Sequence, residues 1–249
     1  MRLTRLYVDA PLASGDRTDL PAAAALHVAR VLRARAGDPL LLFNGDGREF
    51  EAAIETVRSA RVTVAVGAAH GVDREAPVAF TLMQCVPRGD RMDWIVQKAT
   101  ELGVARIVPI VSRRSVVKPS ASQAAAKASH WRAIAVSACE QCGRNRLPVI
   151  DPPRRLDEVL GAAAPVGARL VFDPDGAGEL PAASASAGIE FAIGPEGGFE
   201  PEELDWFRLA GFRGLRLGPR ILRAETAAIA ALVWLQTRFG DLGSAAAAL

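Results

Sequence analysis

Cysteine is scarce in this chain, and Cys85, Cys139 and Cys142 do not make a disulfide framework. The Cys139-Glu140-Gln141-Cys142 spacing has no second pair and sits late in a helical pattern, while His27, His70 and His130 are scattered. Those absences argue against a zinc or redox site, and no metal is expected. Lysine is equally scarce (Lys98, Lys118 and Lys127), so nearly all basic charge is carried by arginine. No run of about 18 apolar residues is present, which excludes a conventional membrane span. The opening residues Met1-Arg2-Leu3-Thr4-Arg5 lack the apolar core of a signal peptide. Cytoplasm is the expected location.

What remains is a chain of 249 residues, half of them apolar, with a net charge of +2. That is enough for one large domain or two modest ones with a real core. A charge so small does not announce a nucleic-acid partner. Arginine suits bidentate phosphate contacts and base stacking, but GC-rich coding produces the same bias, so composition leaves the partner open.

Two spacing regimes divide the sequence. Residues 1–70 predict a small, mainly β domain. Arg5-Leu6-Tyr7-Val8 forms a first strand, Leu26, Val28, Val31 and Leu32 mark a short helix before Gly37, and Val62 to Val66 form a later strand. Between them, strands over residues 40–43 and 49–57 flank Asn44-Gly45-Asp46-Gly47, a hairpin signal. Residues 71–77 read as a linker, and residues 78–249 as a domain of alternating strands and helices. In the latter, strands are expected over residues 78–86, 106–111, 169–173, 188–193 and 215–217. Helices are expected from Asp90 to Gly103, from about Ser120 to Cys142, from Pro201 to Gly211, and from Ala224 onward. Asp90 is the expected N-cap of the first of these. Glu200 stands where Ser or Thr would cap the third, which predicts a weakened start there. Such alternation implies a parallel sheet covered by helices. The tail from Gly243 to Leu249 is expected to fray.

Residues 193–226 carry the chemistry. Ile193-Gly194-Pro195-Glu196-Gly197-Gly198-Phe199 and Leu217-Gly218-Pro219-Arg220-Ile221-Leu222-Arg223-Ala224-Glu225-Thr226 each follow a short apolar strand and lead toward a helix. Ligands of α/β sheets sit in such strand-end loops, and glycine lets a backbone approach them closely. Either loop alone reads equally well as a tight turn. Glu196, Arg223 and Glu225 inside apolar runs make the pair harder to explain that way, because buried charge is costly unless paired or used. The loops are neither a Walker A motif nor a dinucleotide fingerprint.

These two loops resemble the cofactor loops of SPOUT-class RNA methyltransferases, and more closely those of the ribosomal RNA small subunit methyltransferase E family. Residues 90–103 and Glu140-Gln141-Cys142-Gly143-Arg144 are similar to further segments of that family, so the resemblance covers nearly the whole chain. It implies a knotted (trefoil) SPOUT-type parallel sheet with helices on both faces, preceded by a small PUA-like β-barrel. It also implies S-adenosylmethionine as cofactor, N3 of a uridine in 16S rRNA as acceptor, the small ribosomal subunit as partner, and a homodimer. The residues it assigns to the cofactor are Phe172, Asp173, Ile193, Gly194, Pro195, Glu196, Gly197, Leu217, Gly218, Ile221, Leu222 and Arg223. Pro219 removes one backbone donor there. Glu196 and Glu225 either favour a nearby cation, or stabilise helix starts and pair with Arg223.

Uridine N3 carries a proton, so a general base or a cation beside the forming anion helps its reaction. Arg88, Asp90, Lys98, Glu101, Arg114, Glu140 and Arg144 lie in matching segments. Of these, Arg144 joins Arg223 as an anion-stabilising candidate, and Glu140 or Glu196 is the base candidate. Arg2, Arg5, Arg30, Arg33 and Arg35 in the first domain are either RNA contacts or a solvated rim. N3 also lies on the pairing edge, so its base must be unpaired or flipped out. Two rival readings are a non-catalytic RNA-binding or assembly protein that keeps the fold, and a nucleotide-binding enzyme using the Gly194 loop for phosphate.

Overall fold

The computed structural model describes residues 3–58, 61–162, 167–180 and 188–243. Arg2 and the tail beyond Gly243 lie outside them. The chain forms two compact units: Met1–Glu75 with Val136–Leu147, and Ala76–Ala135 with Pro148–Leu249. The first unit thus takes in a distant segment, which linear reading of composition cannot detect.

In the first unit, β1 (Thr4–Tyr7), β2 (Arg17–Asp19), β3 (Pro39–Phe43), β4 (Arg48–Arg58) and β5 (Arg61–Gly71) form one sheet in the order β1-β3-β4-β5-β2. Only β1 and β3 run parallel. Period-two alternation points Phe50, Ala52 and Ile54 of β4 and Val62, Val64 and Val66 of β5 into a core shared with Leu40 and Leu42. The Asn44–Gly47 signal is the β3–β4 turn, with Gly45 and Gly47 at φ +92° and +99°. The expected short helix is different in detail. α1 (Ala22–Leu26) runs into a wider π turn over His27–Val31, and Arg33 then adopts a positive φ of 51°. That geometry buries Ala25 and Val28 but leaves Val31 68% exposed.

A charge cluster closes this unit. The carboxylate of Glu49 accepts from Arg5 (2.5 Å) and Arg74 (3.1 Å). Arg5 also donates to Asn145 Oδ1 at 2.6 Å, and Asn145 donates to the carbonyl of Val72 at 3.0 Å. Arg144 is clamped by Glu75 through Nε at 3.1 Å and Nη2 at 2.5 Å. Burial opposes the charge on Glu49, but Arg5 and Arg74 outweigh it and hold the carboxyl below its ordinary value.

In the second unit, β6 (Phe80–Cys85), β7 (Arg106–Val111), β8 (Val149–Ile150), β9 (Arg154–Arg155), β10 (Ala168–Phe172), β11 (Ile189–Ile193) and β12 (Arg213–Leu215) make a seven-stranded sheet. Its order is β12-β10-β11-β6-β7-β8, with β9 also on β7, and each pairing is parallel. β12 ends two residues earlier than its sequence suggested. Both faces are buried, as near-continuous apolar strands require. Phe80, Leu82, Phe191 and Ile193 face α2 (Arg91–Glu101), α6 (Ala224–Phe239) and Trp131 and Ala135 in the middle of α3 (Ala121–Cys142). Met83, Cys85, Val108, Ile110 and Ala192 face α4 (Leu156–Ala162) and α5 (Pro201–Leu209). Asp90 makes no side-chain cap on α2. Conversely, α5 starts more firmly than expected. The carboxylate of Glu203, 1% exposed, accepts from the amides of Glu200 and Arg113 at 2.9 and 2.8 Å, so the third residue of the helix forms a capping box with Glu200.

Glu49→Ala leaves two arginines facing an emptied site and should cost about 3 kcal/mol. Wild-type stability from this group is present above the unfolded value of 4.5 and is lost as pH falls through the lower folded value. Urea midpoints across that range should show a steeper acid loss for wild type than for the variant.

Candidate active site

Because the strands are parallel, their carboxyl ends share one edge, and the chain leaves β10, β11 and β12 side by side. Loops from these three strands enclose a cavity of about 320 Å³. Phe172 and Asp173 follow from β10. Ile193, Gly194, Pro195 and Glu196 follow from β11. Leu217, Gly218, Ile221 and Leu222 follow from β12 and lead into α6. Ten of the twelve residues assigned to this region by resemblance therefore meet in one wall.

The other two do not line it. Gly197 turns its carbonyl to Arg114 Nη1 at 2.8 Å. Arg223 is the exposed residue just before α6 and makes no ion pair among the described residues. Pro174, Asp175 and Arg216 also line the cavity and lie outside the residues the sequence singles out, and Phe199, at the end of the first loop motif, lines it too. Following the strand-end loop two residues past Asp173 would have found the first two.

The loops are built by close backbone contact. Gly178 donates to the carbonyl of Gly214 and Asp173 to that of Leu215, each at 2.9 Å. A side chain at Gly176 would stand 2.6 Å from the Leu215 backbone, so only glycine fits. Gly198 and Gly218 hold φ +69° and +72°.

One arginine outside the assigned set ties the two halves together. Arg91 Nη1 donates to Glu196 at 2.9 Å, and its Nε lies 3.6 Å from Glu225. Glu196 also accepts from the Arg88 amide at 3.3 Å. Both acids thus pair with Arg91 rather than with Arg223.

The remaining candidates are dispersed. Arg88 and Asp90 are exposed before α2, and Lys98 pairs with Glu101 at 2.8 Å. Arg114 pairs with Glu200 at 2.8 Å. Glu140, Arg5, Arg30 and Arg144 belong to the first unit. Arg5 and Arg144, 7% and 3% exposed, are occupied by the charge cluster described above. Arg30 is exposed. Burial pushes the Glu140 carboxyl up, opposed by the amide of Tyr7, which it accepts at 3.0 Å. Among the described residues no group of His, Cys, Asp and Glu could hold a metal ion, and no helix is long and apolar enough to cross a membrane.

The RNA methyltransferase domain family matches residues 74–236, and the RNA methyltransferase PUA domain matches residues 20–66. Fold and cavity thus define an RNA methyltransferase with an N-terminal PUA domain. The ribosomal RNA small subunit methyltransferase E of Buchnera aphidicola is 31% identical over 97% of this chain and 98% of its own length. That of Bacillus subtilis is 32% identical over 83% and 84%. Among solved structures, the Neisseria gonorrhoeae enzyme of this name, bound to S-adenosyl methionine, superposes with a TM-score of 0.89 at 36% identity, covering 96% of this chain and 99% of that one. A Legionella pneumophila protein described as a methyltransferase, with bound SAM, gives 0.90 at 39%, covering 97% and 100%. The chain belongs to the ribosomal RNA small subunit methyltransferase E family.

Arg91→Ala should loosen residues 194–198 without unfolding the unit. For a half-exposed pair the loss is up to ~1 kcal/mol, or about fivefold faster amide exchange in that loop. Hydrogen exchange read by mass spectrometry checks this, with unchanged exchange in β6 and β7 as the control.

Proposed function

We propose that this protein is an S-adenosylmethionine-dependent methyltransferase acting on N3 of a uridine in 16S rRNA of the small ribosomal subunit, in the cytoplasm. The observation that carries the reading is the cavity at the ends of β10, β11 and β12, in a chain matched over nearly its full length by cofactor-bound relatives. The residues present fit that cofactor. A cavity of about 320 Å³ falls within the ordinary range for small ligands. Leu217, Ile221, Leu222 and Phe172 supply apolar walls, Gly194 and Gly218 supply close backbone groups, and Asp173, Asp175 and Glu196 supply negative charge suited to a cationic ligand. When bound, S-adenosylmethionine supplies an electrophilic methyl group on a sulfonium.

The chain's own work is positioning and charge. Arg91 holds Glu196 at the cavity wall while reaching toward Glu225 on α6, which fixes both loops before ligand arrives. Arg223, free of ion pairs among the described residues, is the cation we assign to the uridine oxygens as N3 loses its proton. Glu196, in the cavity wall, is our preferred base over Glu140, which belongs to the first unit and does not line the cavity. Gly197 and Arg114 act indirectly, by pinning the loop. The reading includes the trefoil knot, which the insertion of β11 between β10 and β6 supports. It also includes a homodimer. Trp94 on α2 and Val233 and Trp234 on α6, each 38–44% exposed, support an apolar contact there.

The decisive experiment mixes purified protein and S-adenosylmethionine with small subunits from cells lacking this protein, then digests the rRNA for mass spectrometry. We expect new 3-methyluridine, reduced about a hundredfold in rate by Arg223→Ala. A different methylated nucleoside overturns the acceptor, and no binding of cofactor turns the reading to a non-catalytic RNA-binding protein. Glu196→Ala should weaken cofactor binding by about tenfold in calorimetry, the loss of one charge-assisted contact.

A further inference from the structure

The edge of the sheet that carries the three cofactor loops also carries a second cavity, of about 650 Å³, formed where β7 and β9 end. Nothing in the methyl-transfer reading uses it. The two places are joined through consecutive residues. Arg114 reaches the cofactor loop through the Gly197 carbonyl and Glu200, while Arg113 lines the second cavity.

The chemistry of the second cavity is specific. The Arg113 guanidinium lies 5.0 Å from the ring centre of the half-buried Trp206 and is bonded at its edge by Glu202. Edge bonding leaves the outer face of this planar cation open, and 48% of the side chain is exposed. Lys118 and Arg154 line the same cavity, are exposed, and make no ion pair among the described residues. The acids beside them are already engaged. Glu203 is bound by two backbone amides, Asp157 is held by Arg155 at 3.0 and 2.8 Å, and Glu158 lies 3.9 Å from the same Arg155. Lys118 and Arg154 are therefore cations of this cavity without a carboxylate partner among the described residues, next to one flat, aromatic-backed stacking surface. A nucleic-acid base stacks on arginine planes and aromatic rings, while its phosphates seek unpaired cations.

We propose that this cavity is a subsite for a nucleotide of single-stranded RNA flanking the target, its base on the Arg113 face and its phosphates at Lys118 and Arg154. The proposal rests on the RNA methyltransferase reading and adds a place where the strand is held away from the reacting base. An acidic peptide would satisfy the two cations but gain nothing from the stacking face.

The test uses the full-length protein with the double variant Lys118→Glu/Arg154→Glu, and separately Arg113→Ala. The probes are a fluorescein-labelled oligouridylate, read by anisotropy, and small ribosomal subunits, read by methylation. We expect the double variant to bind the oligonucleotide at least about tenfold more weakly and to lower the salt slope of log K by about 1.4, two single-strand phosphate contacts. The KM for subunits should rise while the Kd for S-adenosylmethionine and the melting temperature stay at wild-type values. Arg113→Ala should lose the RNA-induced quenching of Trp206, assigned by its absence in Trp206→Phe. Wild-type RNA affinity, salt slope and KM in the double variant overturn the subsite and leave the methyltransferase reading standing. Equal competition by oligoglutamate overturns it in favour of a protein partner. Weakened oligonucleotide binding in a protein that never methylates supports the subsite and removes the methyltransferase reading instead.

Discussion

Everything in the second unit depends on one constraint: a sheet of parallel strands must be covered on both faces, and its strand ends then face one way. With α2, α3 and α6 over one face and α4 and α5 over the other, the part of the sheet that the described residues leave for a ligand is its rim. The order β12-β10-β11-β6-β7-β8 places the ends of β12, β10 and β11 next to one another. Three loops remote in sequence become neighbours, and the cavity arises from topology before any side chain is chosen. Side chains then specialise it. Glycines admit close backbone approach, leucines line the wall, and one arginine links acids from two loops.

The first unit solves a different problem with the same kind of residue. A small, mostly antiparallel sheet has a limited core, and this one encloses charge as well as apolar groups. Glu49 serves two arginines at once, and Asn145 bridges Arg5 to a backbone carbonyl. Breaking such a buried set is costly whatever its net worth against an apolar alternative. Its members come from the beginning of the chain and from residues past α3, so the charges define which distant segment completes the unit.

Much of this was legible in the sequence, for identifiable reasons. Alternation in β4 and β5, the Asn44–Gly47 turn and the helical spacing of Met92, Ile95 and Ala99 are local signals, and each became the expected element. The cavity was legible because motif, glycine placement and strand end coincide at Gly194 and Gly218. What escaped were facts about pairing. Arg144 looked like a free cation because Glu75 lies 69 residues away in sequence. Arg91 was passed over because nothing local shows that Glu196 and Glu225 will both approach it. The start of α5 is firmer than its sequence suggests because Glu200 and Glu203 form a reciprocal capping box, each side chain accepting from the other's backbone amide. The π turn at His27–Val31 has no periodic signature distinct from an ordinary helix.

The path of residues 173–178 has one more consequence. β12 is three residues long and terminates the sheet on one side, while β8 and β9, two residues each, end it on the other. Unpaired backbone at a sheet margin is a template on which another chain can add itself. The amide of Gly178 already occupies the Gly214 carbonyl of β12, so the loop that forms one wall of the cavity also blunts that margin. The loop that supplies Asp173, Pro174 and Asp175 to the cavity thereby helps keep copies of this protein from joining sheet to sheet at that margin.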